Sequence, residues 1–431
     1  MDALSAPFAS AAPNGTCIHG NIAPGPDWAS ALILITACIG VVFALFLLRQ
    51  VAKVPLDVDV ASQIQETQFL RTVQQPISTD VEHIREQNSK LRELYDAISA
   101  GANSFLFAEY RLCALFILLA FPFTMFVIAW GSRNDASAGG AWGWKEGAMS
   151  ATSFAVGALT SIVCGFAGMR VAVFSNARCT VGACHPTTGW TRAFNTAFRA
   201  GGVMGFSLTG IALLSLYLLL SVLRRAFSAD EAGLRALMDA VAGFGFGGSS
   251  IAMFGRVGGG IYTKAADVGA DLAGKVVEDL PEDDPHNPGT IADNVGDNVG
   301  DVAGMGSDLF GSFGEASCAA LLVGASSPMI VAGGWGALMF PLTVSGSGIL
   351  VCLVTNYVAT DFKPVRCETD IEKVLKMQLL VSSVLMTPVV LILSLAFLPR
   401  ATCGDCIGGF EVSGVCSSAL IIITEHLIII R

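Results

Sequence analysis

The chain alternates long apolar runs with shorter polar connections. The first run, Ala29–Leu48, is about 20 residues long, and a helix of that length crosses the roughly 30 Å hydrocarbon core of a bilayer. The runs are too long and too uniformly apolar for β-strands. The pattern therefore predicts nine membrane-spanning helices, at Ala29–Leu48, Phe105–Trp130, Ala148–Met169, Gly201–Leu223, Leu237–Val257, Val302–Val323, Met329–Thr355, Val374–Leu398 and Val412–Ile430.

Composition agrees with a membrane protein. Charged residues make up 14% of the chain and hydrophobic residues 53%, whereas a soluble globular chain has about 25% charged residues. These values exclude a disordered protein and a secreted disulfide module. The net charge of −10 excludes a nucleic-acid binder, because phosphate backbones attract basic surfaces. We predict an all-α fold, a polytopic transmembrane helix bundle that forms a single domain over residues 1–431.

Lys and Arg are unevenly divided between the two predicted sides of the membrane. The odd-numbered connections hold sixteen of them, counting Lys376 at the start of the eighth span, and the even-numbered connections hold six. Because basic connections stay in the cytoplasm, this bias predicts odd connections in the cytoplasm and the N-terminus outside. The first connection, residues 49–104, is predicted to be a cytoplasmic amphipathic segment that is helical over Val81–Ala100.

Charged residues, scarce elsewhere, concentrate after the fifth predicted span. Lys264, Asp267, Asp271 and Lys275 follow one another at steps of three and four residues, so a helix presents all four on one face. Arg256 lies three helical turns before Asp267 and extends this face into the predicted membrane span.

A second line of acids begins after a proline-rich turn, Glu278–Gly289. Asp293, Asp297 and Asp301 are spaced four residues apart, and the next members follow at intervals of seven, at Asp308 and Glu315. On a helix this seam is about 33 Å long. Like charges at this spacing repel one another, and a charge at the bilayer centre costs about 2.5–3.5 kcal/mol. The acids therefore need counter-ions.

Divalent cations neutralise the surface half of this seam most economically. Carboxylate oxygens select Mg²⁺ or Ca²⁺, and Mg²⁺ is commonly held by a few carboxylates together with phosphate. Lys264 and Lys275 on the same face suit a polyanion, so we predict a Mg²⁺–phosphate site on residues 264–301. Glu282, in the turn, is either a ligand or solvated. The deeper acids, predicted to be buried with Arg256 as counter-ion, are typical of a proton or cation relay.

Two runs in this region resemble a known family. Asp267-Val-Gly-Ala-Asp271-Leu-Ala-Gly-Lys275 is similar to the first pyrophosphate-binding signature of membrane-bound, ion-pumping inorganic pyrophosphatases, and the run from Asp293 to Glu315 is similar to the helix that follows it. The resemblance implies that Mg²⁺ and pyrophosphate bind at Asp267, Asp271, Asp297 and Asp301, with support from Lys264, Lys275, Glu282 and Asp293. It further implies that Asp301 is catalytic and helps to hold the attacking water, and that Asp297 and Lys275 also have catalytic roles. It implies as well an ion gate formed by Arg256, Asp308 and Glu315.

The same resemblance implies a function. Members hydrolyse pyrophosphate with several Mg²⁺ ions and move protons or sodium ions across a lipid bilayer. Sodium pumps place the gate glutamate three residues after the position of Asp308, where this chain has Gly311, so Glu315 favours proton transport. A homodimer and a vacuolar or other acidic-compartment membrane are also implied. A requirement for K⁺ stays open, because its determinant lies in the second half of the family fold.

The chain is short for this family. Its fold has roughly sixteen helices and a second set of acidic motifs, so we expect a truncated or partial chain that carries half of the site. Two alternatives remain open. One is a divalent-cation channel or transporter with the acidic seam as its filter, which Lys264 and Lys275 argue against because they repel cations. The other is a non-catalytic fragment of the pump.

Overall fold

A computed structural model describes residues 26–58, 77–132, 142–185, 187–228, 230–281, 284 and 287–398. These residues form helices and contain no β-strand, which confirms the all-α prediction. Eight helices in this part of the chain are long and apolar enough to cross a membrane, and each of them overlaps one of the first eight predicted spans. The ninth predicted span, Val412–Ile430, lies outside the described residues.

The helices continue beyond the predicted apolar runs. The long helices are α1 (Pro26–Ala52), α2 (Ile77–Ser132), α3 (Trp144–Ala183), α4 (Gly189–Leu223), α5 (Glu231–Asp271), α6 (Pro288–Gly296), α7 (Gly304–Ser326), α10 (Phe340–Tyr357) and α11 (Glu368–Phe397). Residues 81–100 are helical as predicted and run without a break into the second span. The polar extensions of α2 and α5 therefore continue the helices of their spans.

Regular helix geometry changes at several places. A 3₁₀ turn, Arg224–Ala226, follows α4, and π-helical segments occupy Leu272–Glu278, Asp297–Ala303 and Val358–Phe362. The seventh predicted span is not one helix, because two short helices, α8 (Pro328–Ala332) and α9 (Gly334–Leu338), precede α10. Gly334 has a φ of +79°, a backbone conformation that interrupts a right-handed helix.

The core lies where α5 packs against α3 and α7. Phe244 of α5 and Phe310 of α7 are fully buried there, and their rings meet edge to face with centroids 5.5 Å apart. Helix α1 packs on α4, and α2 packs on α3. Large apolar side chains such as Leu118 and Phe123 of α2 remain exposed, as expected for a surface that contacts lipid.

Candidate functional site

Helix α5 and the continuous helical segment from α6 to α7 form a tightly packed antiparallel hairpin. An added Cβ at Gly259 would lie 2.6 Å from the Cα of Gly300, and one at Gly245 would lie 2.9 Å from the Cα of Glu315. Two helix backbones can pack so closely only where glycine leaves no side chain between them. The glycine positions thus fix which residues of the two helices lie side by side.

The hairpin keeps one register along its whole length. Its contacts begin where Gly289 meets Ala270 and end where Glu315 meets Gly245. These contacts cover about 25 residues of each helix, or ~37 Å at 1.5 Å per residue. This length exceeds the roughly 30 Å hydrocarbon core of a bilayer. The hairpin therefore connects the charged end of α5 with a level deep in the predicted membrane region.

Four of the predicted site residues line one cleft at the charged end of the hairpin: Asp267, Asp271, Lys275 and Asp293. The Lys275 Nζ lies 3.3 Å from Asp271 Oδ2, and the Lys264 Nζ, just outside the cleft, lies 3.3 Å from Asp267 Oδ2. Each lysine thus pairs with an acid of its own helical segment. The cleft combines carboxylates with positive charge.

Asn287 holds this end of the hairpin together. Its Oδ1 accepts a hydrogen bond of 2.9 Å from the Gly289 backbone N–H and caps α6, while its Nδ2 donates one of 2.8 Å to the Ala270 carbonyl of α5. Pro288 occupies the first helical turn, where its missing N–H is not needed. Asn287 was not among the predicted residues, although an Asn directly before a Pro at a helix start is a capping signal.

Asp297 and Asp301 lie in the π-helical segment between α6 and α7, and both side chains are exposed. Between them, Asn298 is 4% exposed and accepts a 3.0 Å hydrogen bond from the Nδ2 of Asn176 on α3. Asn298 also donates to the Asn294 carbonyl at 2.8 Å. Single π-helical turns occur frequently at functional sites. Neither the π-helix nor Asn298 was among the features predicted from the sequence.

Lys264 connects the two arms of the hairpin electrostatically. Besides its ion pair with Asp267, it lies within electrostatic range of the Asp297 and Asp301 carboxylates on the facing arm. The structure therefore brings together the predicted residues Lys264, Asp267, Asp271, Lys275, Asp293, Asp297 and Asp301. Glu282 lies outside the described residues.

The predicted gate residues share the hairpin but do not form the expected buried ion pair. The Arg256 backbone packs at the level of Gly304, three residues from Asp301 and four from Asp308 in the sequence. Asp308 is half-buried, whereas Arg256 and Glu315 are exposed. No ion pair joins Arg256 to either acid within the described ranges. The expectation of burial is wrong for Glu315, because its backbone, not its carboxylate, packs on Gly245.

A further acid reaches the level of Arg256 from another helix. Glu109 of α2 is half-buried, and its Oε1 lies 3.4 Å from the position that a Cβ would take at Gly255. Residue 109 lies inside the predicted apolar span Phe105–Trp130, and no role was predicted for it. A lone acid within an apolar run was the available signal.

The donor set fits Mg²⁺ that binds together with phosphate. In the part of the chain that the structure describes, no three His, Cys, Asp or Glu side chains converge on one point, so these residues do not form an all-protein metal cage. Mg²⁺ keeps several waters and commonly takes only one or two carboxylates plus phosphate oxygens. Asp267, Asp271 and Asp293 around one cleft can provide such partial ligand sets.

Comparison with known proteins relates this chain to a family. Residues 38–428 match the model of a family described as inorganic H⁺ pyrophosphatase. A protein of Chloroflexus aurantiacus, named a K(+)-insensitive pyrophosphate-energized proton pump, is 41% identical over 291 residues, which cover 63% of this chain and 35% of that protein. A protein of Caldanaerobacter subterraneus with the same name is 35% identical over 275 residues, 62% of this chain and 36% of that protein.

A protein of Clostridium tetani is 36% identical over 267 residues, 62% of this chain and 34% of that protein, and it is provisionally named a K(+)-stimulated pyrophosphate-energized sodium pump. The chain spans about a third of the length of these curated relatives. The family model, in contrast, matches most of the chain, including all of the hairpin. With its eight apolar helices, the chain is a multi-pass membrane protein, and it belongs to the inorganic H⁺ pyrophosphatase family.

Proposed function

We propose that the chain binds and hydrolyses pyrophosphate as part of a pump that moves protons across a membrane. The observation that carries this proposal is the hairpin. One of its ends holds the cleft of Asp267, Asp271, Lys275 and Asp293, and the same pair of helices continues to the level of Glu315. A binding site and an ion path on one rigid pair of helices provide a direct means of coupling.

Binding depends on charge balance. Pyrophosphate is a polyanion, and carboxylates alone would repel it, so Mg²⁺ held by Asp267, Asp271 and Asp293 supplies positive charge when bound. Lys275, 3.3 Å from Asp271, is placed to donate to a phosphate oxygen. Lys264 provides a second ammonium group next to Asp267. These residues therefore orient the substrate at the end of the hairpin.

Hydrolysis requires a base beside the attacking water. Asp301 and Asp297 lie on exposed positions of the π-helical segment, where a carboxylate can accept the proton of a water molecule as it attacks phosphorus. The hydrogen bonds of buried Asn298 hold this segment against α3 and α6. We assign the water-binding role to Asp301 and a supporting role to Asp297.

The proton released at Asp301 then enters the seam that leads to Asp308 and Glu315. Arg256 lies between the levels of Asp301 and Asp308 and supplies a positive charge near them. Gly311 occupies the position at which sodium pumps of the family carry the gate glutamate, which supports protons as the transported ion. The alternative of a cation channel is less favoured, since Lys264 and Lys275 pair with the acids that a filter would need.

The orientation of the cleft, the cofactor, the oligomeric state and the membrane are supported by the sequence and by the family resemblance. The Lys and Arg bias supports a cytoplasmic cleft. The resemblance to the family supports Mg²⁺ as cofactor, a homodimer and the membrane of a vacuole or other acidic compartment. The names of the relatives include both K(+)-insensitive and K(+)-stimulated pumps, so hydrolysis is to be assayed with and without K⁺.

Two measurements test the proposal. Membranes that contain the chain are assayed for Mg²⁺-dependent pyrophosphate hydrolysis, and the thermal unfolding midpoint of the purified chain is measured with Mg²⁺ and imidodiphosphate. We expect a rise in the midpoint that disappears with EDTA, because a ligand that binds only the folded state stabilises it. Asp301→Asn should weaken both effects, while Asp230→Asn, at the opposite end of α5, should change neither.

The possible outcomes separate the alternatives. Stabilisation by Mg²⁺ and imidodiphosphate without hydrolysis identifies a binding-competent but non-catalytic fragment. Uptake of Mg²⁺ or Ca²⁺ into vesicles without any response to pyrophosphate identifies a cation channel. Hydrolysis that Asp301→Asn leaves unchanged refutes the assignment of the site.

A further inference from the structure

A second cavity, of about 400 Å³ and lined in part by charged side chains, lies between the end of α1, the end of α3 and the beginning of α4. None of its lining residues belongs to α5, α6 or α7, so it is separate from the pyrophosphate cleft. Its ionisable lining residues are predominantly basic: Lys53, His185, Arg192 and Arg199, with Asp57 and the exposed thiol Cys184 as the others.

The acids near this cavity are already engaged. Asp57 accepts hydrogen bonds from Arg92 of α2, one of them 2.8 Å long from Nε. Asp361, after α10, lies 3.3 Å from Arg199. Lys53 donates only to the neutral Gln50 side chain, at 3.2 Å. Across the described ranges, neither Lys53 nor Arg192 has a carboxylate partner, and the cavity therefore has excess positive charge.

The position of Arg192 increases this excess. It lies in the first turn of the 35-residue helix α4, a turn that contains no acidic residue. The helix dipole already places partial positive charge there, so a cation is unfavourable and an anion is stabilised. The Thr188 hydroxyl lies 2.9 Å from His185 Nδ1 and does not cap the helix. The first-turn N–H groups of α4 thus remain available to an anion at this end of the cavity.

We propose that this cavity binds a phosphate group through Lys53, Arg192, Arg199 and the N-terminus of α4. Two sources share this chemistry, the headgroup of an anionic phospholipid and free inorganic phosphate. Gln50 and Arg199, which line the cavity, lie within two residues of the predicted span ends Leu48 and Gly201, and basic pockets between membrane-spanning helices bind lipid headgroups. We therefore expect the lipid to be the occupant. This proposal does not depend on the hydrolysis of pyrophosphate.

The test uses the purified chain in detergent and native mass spectrometry with phosphatidylglycerol or phosphatidylcholine added at equal concentrations. We expect phosphatidylglycerol to be retained preferentially. Lys53→Gln and Arg192→Gln should each weaken its apparent affinity about five-fold, the effect of one basic residue near an anionic lipid surface. The matched control is Arg225→Gln, an exposed arginine after the other end of α4, which should leave the affinity unchanged.

A second arm identifies the source of the phosphate group. Sodium phosphate and sodium chloride are each added to the wild-type chain at equal ionic strength. If phosphate displaces the lipid and chloride does not, the site accepts any phosphate. Lipid retention that phosphate does not reduce indicates a headgroup site. Equal retention of the two lipids, equal affinities of the wild type and both Gln variants, or an equal loss in Arg225→Gln would overturn the proposal.

Discussion

At the scale of single residues, neutral amide side chains hold in position the segments that carry the charged residues of the hairpin. Asn287 joins the turn to Ala270, and Asn298 joins the π-helical segment to Asn176. Both are buried amides whose hydrogen bonds are satisfied. Sequence spacing predicted which acids share a helix face, because a step of four residues is a local property. It did not predict the two amides, whose partners lie 17 and 122 residues away in the chain.

The role of Asn287 is directly testable. Asn287→Ala removes the cap of α6 and leaves the Ala270 carbonyl without its donor. We expect a loss of about 1–2 kcal/mol in the free energy of unfolding, seen as a lower thermal midpoint in detergent, together with weaker Mg²⁺–imidodiphosphate binding. Asn294→Ala is the control, since among the described residues the exposed Asn294 side chain bonds only to the Thr290 carbonyl one turn away. Equal effects of the two variants would contradict the bridging role.

At the scale of elements, the apolar runs predicted eight described spans because length and uniform hydrophobicity suffice to identify a membrane helix. The π-helical turn at Asp297–Ala303 was not predictable in this way, since a change of hydrogen-bond register leaves the apolar pattern almost unaltered. Glu109 was missed for another reason. Its position beside Gly255 arises from the packing of α2 on the hairpin, which no local pattern encodes.

The close contact within the hairpin provides a prediction at this scale. Gly259→Ala places a Cβ 2.6 Å from the Gly300 Cα, so the two arms must separate. We expect a destabilisation of about 1–3 kcal/mol, the usual cost of overpacking, and weaker Mg²⁺–imidodiphosphate binding. Gly260→Ala is a matched control on the same helix, because no atom lies within 4 Å of its added Cβ. Alanine there should preserve or raise stability, since it favours helix more than glycine does. The same midpoint shift in both variants would exclude the packing explanation.

At the scale of the whole molecule, the hairpin separates two kinds of acid. Near the cleft, Asp267 and Asp271 form ion pairs of 3.3 Å with Lys264 and Lys275. Glu315, about 37 Å of helix away from the turn, has no such pair within the described ranges and is exposed. An unpaired carboxylate at membrane depth is costly when charged. Glu315 is thus set apart from the binding cleft both by distance and by the lack of a charged partner among the described residues.

Glu315→Gln therefore distinguishes binding from transport. The substitution keeps the size of the side chain and its backbone contact with Gly245, but the amide cannot exchange a proton. Because the cleft residues are unaffected, the thermal shift with Mg²⁺ and imidodiphosphate should equal that of the wild type. In vesicles that hydrolyse pyrophosphate, acidification measured with a pH-sensitive dye should fall at least ten-fold per pyrophosphate consumed. Glu368→Gln, an exposed acid in the first turn of α11, controls for the loss of one negative charge. Acidification that survives in Glu315→Gln would place the proton path elsewhere, and Glu109 would then be the next acid to replace.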